Sequence, residues 1–294
     1  MRPSVTGILL SGDKTVENNK NEFLGVAFRA SILAGKHILE NLGRLTSEDI
    51  NMKQASDFVT RVDKESEDII IGTIRKEFPL HHFMAEESAG LTGTDTYGHP
   101  GQDGPYRWII DPLDGTTNFI HKYPVFSVSI ALELQNEIIL GLVFDPLRNE
   151  MFTAEKGRGS FLNGEQIKVS VITDAGNSLI ATGFPFRKKE MIDPYLRLFK
   201  NLFNRVSDIR RAGSAALDLA HIACGRCDGF FEIGLSPWDM AAGSIIIKEA
   251  GGIVSDFNGG QNYLSTGNIV AGTPALHREI LGEVKNVFNG VIDR

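Results

Sequence analysis

The sequence predicts a mixed α/β (α+β) protein built as two intimate lobes, and three observations carry that prediction. Two apolar stripes at helical spacing stand near the start. A series of short segments with strand character follows, from Val125 to about Val171. From Leu179 onward strands and helices alternate. The 294 residues are 42% hydrophobic, enough for one large domain or two close lobes. The expected division is a loose extension over 1–20, an α+β lobe over 21–175 and an α/β lobe over 176–294.

In order, Met1 to Lys20 is polar and patternless and is expected to be loose. Phe23, Val26, Ala27, Ala30, Leu33, Ala34 and Ile38 recur at helical spacing, so a long amphipathic helix runs to about Leu42. Asp57 and Thr60 read as lead-in or cap residues of a second helix. That helix buries Val62, Ile69, Ile70 and Ile74 and stops at Pro79. His82 to Ala85 is a short buried strand ending in Glu86-Glu87-Ser88. Gly90 to Pro105, rich in Gly, Thr and Asp, reads as a mobile surface loop. Trp108 to Ile110 is an apolar strand. Val125 to Leu132, Ile138 to Phe144, Met151 to Ala154 and Ile167 to Val171 extend a largely antiparallel sheet, with a turn region at Gly157, Gly159 and Gly164.

In the second lobe, strands are expected at Leu179 to Thr182, Asp208 to Arg211, Gly229 to Ile233, Ile253-Val254 and Ile269 to Ala271. Helices are expected over Asp193 to Phe203, from about Ala212 to Ala223, from Trp238 to Glu249, and from Pro274 onward.

The net charge of −7 excludes a general nucleic-acid binder, which needs a basic face. An anionic substrate would have to be attracted locally, through bound cations. No run of about 18 apolar residues suggests a membrane span. The start, with Arg2 and the interrupted patch Ile8-Leu9-Leu10, lacks a secretory pattern, so a cytoplasmic protein is expected. Cys224 and Cys227 form a C-x-x-C, which suggests a redox pair. With no second pair for zinc and no thioredoxin-like strand ahead of it, the reading as two small apolar residues near a helix end is preferred.

The chemistry centres on Trp108-Ile109-Ile110-Asp111-Pro112-Leu113-Asp114-Gly115-Thr116-Thr117-Asn118. An apolar strand there ends in two carboxylates, hard oxygen ligands suited to Mg²⁺ or Mn²⁺. The N–H groups of the short helix that follows suit a phosphate. Each acid also has a plain structural reading. Asp111 and Asp114 can cap a turn, Asp63 can favour a helix dipole, Asp239 can open a helix, and Glu232 can be a strand-end acid.

Three motifs in order resemble the inositol monophosphatase family: Glu86-Glu87-Ser88, Asp111 to Asn118, and Trp238-Asp239-Met240-Ala241-Ala242-Gly243, followed by Glu249-Ala250-Gly251-Gly252. Thr182-Gly183-Phe184-Pro185-Phe186 and Gly213-Ser214-Ala215-Ala216 look most like bacterial members. The resemblance spans about Phe23 to Asn289. It departs from the family in Ala85, where Gly is frequent, and in the length of the Gly90–Pro105 segment. It implies a layered α-β-α-β-α sandwich, a homodimer, and two or three Mg²⁺ ions with Mn²⁺ as a substitute. It further implies that Glu86, Asp111 and the Leu113 carbonyl hold one ion, and that Asp111, Asp114 and Asp239 hold a second. Glu86 would help with a third through water. Asp63 and Thr116 would orient the attacking water, and Gly115 and Thr116 would donate to the phosphate. Gly213, Ser214, Ala215, Glu232 and Asp239 would line the alcohol side.

The expected activity is Mg²⁺-dependent hydrolysis of a phosphate monoester, foremost myo-inositol 1-phosphate or a similar polyol phosphate, with lithium sensitivity. Fructose 1,6-bisphosphate, NADP⁺ and 3′-phosphoadenylate remain alternative substrates, since related phosphatases share the ligands. A regulatory protein-binding role is the alternative from a different class.

Overall fold

The computed structural model describes residues 12–54, 57–88 and 105–288. Helix α1 covers Gly12–Asn41 and α2 covers Arg61–Glu77, joined through a two-stranded hairpin of β1 (Ile50–Gln54) and β2 (Asp57–Thr60). The expectation of a loose extension over 1–20 is corrected from Gly12 onward. Once the apolar stripe from Phe23 fixes a helix, each added turn avoids the cost of nucleation. Met1 to Ser11 lies outside the described residues, as does the segment expected as a surface loop, except Pro105.

The larger sheet holds β3 (His82–Ala85), β4 (Tyr106–Asp114), β5 (Ser127–Leu134), β6 (Glu137–Asp145), β7 (Glu150–Glu155), β8 (Gly159–Leu162) and β9 (Glu165–Ile167), in that order. Its pairings are antiparallel except β3 with β4. The short helix α3 (Thr116–Ile120) follows β4. Two sequence expectations change here. The glycine-rich turn region contains β8, and the last strand ends at Ile167 instead of continuing to Val171.

The second sheet is built from β10 (Leu179–Thr182), β11 (Asp208–Arg210), β12 (Gly229–Ile233), β13 (Ile253–Ser255) and β14 (Asn268–Gly272), in the order β11-β10-β12-β14-β13. Its helices are α4 (Ile192–Phe203), α5 (Ala215–Ala223), α6 (Pro237–Glu249), α7 (Tyr263–Thr266) and α8 (Pro274–Phe288).

Five layers result. Helices α1 and α2 cover one face of the larger sheet, α5 and α6 lie between the two sheets, and α4 and α8 cover the far face of the second. Strand β4 shows why its apolar run is continuous: Trp108 and Ile110 pack toward α1 and α2, while Ile109 packs into the core around α5 and α6. A strand covered on both faces has no polar side to present. The third core, with Tyr195, Leu198, Phe231 and Val284, lies between the second sheet and the outer helices.

Candidate active site

The acids converge where β4 leaves the sheet. In a regular strand, Asp111 and Asp114 would point to opposite faces, because side chains alternate. The pairing with β5 corrects the parity. Asp111 stands opposite Ser129 and Asp114 opposite Ser127, so β4 carries one extra residue in a bulge at Pro112-Leu113. Both carboxylates then reach the same space. Glu86 arrives by a different route. Parallel pairing sets Ala85 opposite Ile110, and the Glu86 N–H donates to the Ile110 carbonyl at 3.1 Å, which puts Glu86 beside Asp111. Asp239 comes from the first turn of α6. Its Oδ2 accepts the Ser236 N–H at 2.7 Å, closing a capping box behind Pro237.

Oxygens of Asp111, Asp114 and Asp239 lie within 4.8 Å of one another, and all three residues are buried. Burial raises the Asp111 carboxyl well above the ordinary range, and the charges of Glu86, Asp114 and Asp239 push it further. Asp114 and Asp239 are raised as well, by burial first. Hard oxygens packed against their own repulsion are the donor set that a divalent cation relieves. Hydrogen bonds steady the set: the Leu113 N–H donates to Asp111 Oδ1 at 3.0 Å, while the Ser214 hydroxyl and Ala216 N–H both donate to Asp114 Oδ2, at 2.6 and 2.8 Å. Ser214 is also the N-cap of α5, so one hydroxyl joins that helix to the acid.

Asp63 sits one turn into α2, capped by Thr60 and not by Asp57, which lies in β2. Its Oδ2 accepts the Thr60 N–H at 2.9 Å and the Thr60 hydroxyl, and its Oδ1 accepts the Thr116 hydroxyl at 2.8 Å. Burial is the main cause that lifts its carboxyl from 3.8 to about 6. Gly115, with φ of 96°, turns the chain from β4 into α3, a backbone conformation that side-chain-bearing residues rarely adopt. The Asn118 amide donates to the Val125 and Ala212 carbonyls at 2.8 and 3.0 Å, fixing this corner against the segment carrying Gly213.

These residues border one cavity of about 300 Å³, which Glu86, Asp111, Leu113, Asp114, Gly115 and Thr116 line on one side. Gly213, Ser214, Ala215, Glu232 and Asp239 line it too. Asp63 is not on its wall but reaches it through Thr116. Three further charged residues border the cavity that sequence reasoning did not single out: Arg187, Arg211 and Asp218. The Arg187 guanidinium stacks on the Phe186 ring, donates to Asp239 Oδ2 at 3.3 Å and lies 4.0 Å from Glu86 Oε1. Phe186-Arg187 directly after a glycine-bearing strand end was the available signal. Cys224 and Cys227 lie away from this cavity, both free, with burial pushing Cys227 up to about 12.

Among the described residues, no helix is long and apolar enough to cross a membrane. The family model described as the inositol monophosphatase family matches residues 19–288. The Nus factor SuhB of Escherichia coli (strain K12) is 48% identical over 271 residues, covering 92% of this chain and 98% of that protein. The crystal structure of extragenic suppressor protein suhB from Bartonella henselae superposes with a TM-score of 0.83 at 38% identity, covering 90% of this chain and 98% of the other. Inositol monophosphatase from Anabaena (Nostoc) sp. PCC 7120 gives a TM-score of 0.79 at 38% identity, covering 91% and 97%. With the layered sandwich and the acids converging as they do, the chain belongs to the inositol monophosphatase family.

Proposed function

We propose that the protein is a Mg²⁺-dependent phosphomonoester hydrolase acting on myo-inositol 1-phosphate or a similar polyol phosphate. The observation that carries this reading is the trio of buried aspartates meeting within 4.8 Å at the edge of a cavity. Glu86, Asp111 and the Leu113 carbonyl would hold one ion, and Asp111, Asp114 and Asp239 a second, with Glu86 aiding a third through water. Mn²⁺ has the same preference for hard oxygens. When bound, such a pair of cations supplies charge stabilisation for the phosphate and acidifies water.

The remaining chemistry belongs to the chain. Thr116 directs its hydroxyl proton to Asp63, 2.8 Å away, which leaves the hydroxyl oxygen to accept from the attacking water. Two donations from Thr60 hold Asp63 in place. A carboxylate raised to about 6 is a stronger base than an ordinary aspartate. The N–H groups of Gly115 and Thr116 would receive the phosphate, and Gly213, Ser214, Ala215 and Glu232 the alcohol. The buried acid Glu232 disfavours a second phosphate there, which argues against fructose 1,6-bisphosphate, NADP⁺ and 3′-phosphoadenylate.

The decisive test is Asp111→Asn with Mg²⁺ and a panel of these four substrates. Loss of phosphate release is expected, and activity near the unaltered protein's would overturn the assignment. Millimolar Li⁺ should inhibit, and a cytoplasmic homodimer is the expected state. The name Nus factor, carried by the E. coli relative, supports a second reading: a protein-binding role beside catalysis. Partner binding that survives loss of Asp111 and Asp239 would separate the two.

A further inference from the structure

Buried acids in this protein are, as a rule, satisfied. Asp256 accepts N–H groups from Asn258, Gly260 and Asn262, Asp228 accepts from Ser170 and Leu179, and Asp145 and Glu283 pair with Arg148 and Arg205. Asp218 and Glu232 break the pattern. They are 3% and 6% exposed, and among the described residues no hydrogen bond reaches either carboxylate. Both line the same cavity. An acid taken out of water without donors is costly, and a site that leaves two of them bare is built for a ligand that brings donors of its own.

Their placement is specific. Asp218 follows Ser214 by four residues, so both stand on one face of the start of α5. Ser214 addresses Asp114, and Asp218 lines the same cavity from that face. Glu232 projects from β12, whose pairing with β10 sets Thr182 opposite Phe231 and so brings Gly183 against Glu232. Burial holds both carboxyls well above the ordinary range, and the Arg211 guanidinium offsets this only in part. It sits at the rim, 5.9 Å from the Phe184 ring.

We propose that Asp218 is a second hydroxyl acceptor on the leaving-group side, acting with Glu232, and that it selects phosphate esters of polyhydroxylated alcohols. This deepens the phosphatase reading and rests on it. The phosphate is held at the aspartate trio, while adjacent hydroxyls of the departing alcohol donate to the two bare carboxylates.

The test compares myo-inositol 1-phosphate with p-nitrophenyl phosphate, whose leaving group carries no hydrogen-bond donor. Asp218→Leu should raise KM for the inositol ester about tenfold to a hundredfold, as for a lost hydrogen bond to a charged group. Its kcat should change little, and both constants for the aryl ester should stay near those of the unaltered protein. Asp218→Asn keeps an acceptor oxygen and should fall between; it carries the test if the Leu variant fails to fold by circular dichroism. Equal losses on both esters, or no loss on either, would overturn the role of Asp218 alone. Unaltered protein that releases phosphate from neither ester would overturn the phosphatase reading itself, and hydrolysis of the aryl ester only would overturn the polyol class.

Discussion

Gly183→Ala tests how the leaving-group wall is assembled. A Cβ built on Gly183 would stand 2.0 and 2.3 Å from the two carboxylate oxygens of Glu232 and 2.1 Å from the carbon between them. The whole carboxyl group must therefore withdraw by about 1 Å to reach even a tight contact of 3.0 Å. Its backbone cannot follow, because β12 is held between β10 and β14. The side chain must turn into the cavity instead. Misplacement of about 1 Å costs up to about 10²-fold in rate. The expected result is a tenfold to hundredfold fall in kcat/KM for myo-inositol 1-phosphate, with hydrolysis of p-nitrophenyl phosphate nearly unchanged. Because a flexible side chain gives way and not the core, the melting temperature should drop by less than about 2 °C, roughly what 1 kcal/mol produces in a chain of 294 residues. In a Glu232→Ala background the same substitution should be silent, as coupled neighbours require. Unchanged polyol kinetics, or a large loss of stability with Glu232 already removed, would refute the argument.

Thr116→Val removes the 2.8 Å hydrogen bond to Asp63 and should cut kcat by about 10²–10⁴-fold, while Mg²⁺ affinity by calorimetry is retained. Metal-free protein should become more stable as pH falls from about 7 to 4. The folded-state value of Asp63, about 6, lies above its ordinary 3.8, so between them the folded chain keeps a proton the unfolded chain has lost. That one group is worth about 3 kcal/mol, and Asp114 and Asp239 act in the same direction. His81, His221 and His277, lowered by burial, oppose the trend from about pH 6.5 down, and the lowered Glu65, Glu150, Asp49 and Asp208 oppose it near and below its lower end, but Asp111, Asp218 and Glu232, raised well above the ordinary range by burial, outweigh them. Melting in a chelator at pH 7.5 and pH 5 checks it, and a lower melting point at pH 5 would contradict it. Saturating Mg²⁺ should raise the melting temperature at pH 7.5, and Asp111→Asn should remove the increase. Native Cys224 and Cys227 should react far more slowly with a thiol reagent than the unfolded chain, since burial raises both thiols.

The elements that were legible in the sequence are those with an apolar period. Helix α6 and strands β10 and β12 fall within a residue or two of their expected ends because Pro237, Gly229 and Gly234 punctuate them. Hairpin β1–β2 was not legible: Ile50-Asn51-Met52-Lys53-Gln54 has too few apolar residues to show a strand period, and Met52 stands 66% exposed. Strand β8 was hidden by the glycines around it. Of the site, the aspartates and Glu86 were legible through their motifs, yet how Asp111 and Asp114 share one face was not. That depends on the bulge, of which Pro112 at the end of an apolar strand is the sign in the sequence. Asp218 escaped notice because it lies in an alanine- and leucine-rich helix, where a lone acid reads as a solvent-facing turn. Its burial arises only when a second sheet closes over α5.

That closure also bears on how the chain is made. On the ribosome, the larger sheet emerges with its α1–α2 side dressed and its opposite side bare, because α5 and α6 are translated later. Until they arrive, a broad oily surface and a knot of like charges are exposed together. The nascent polypeptide therefore has a vulnerable interval, ended only when the last third docks, and truncation products should be prey for chaperones and proteases.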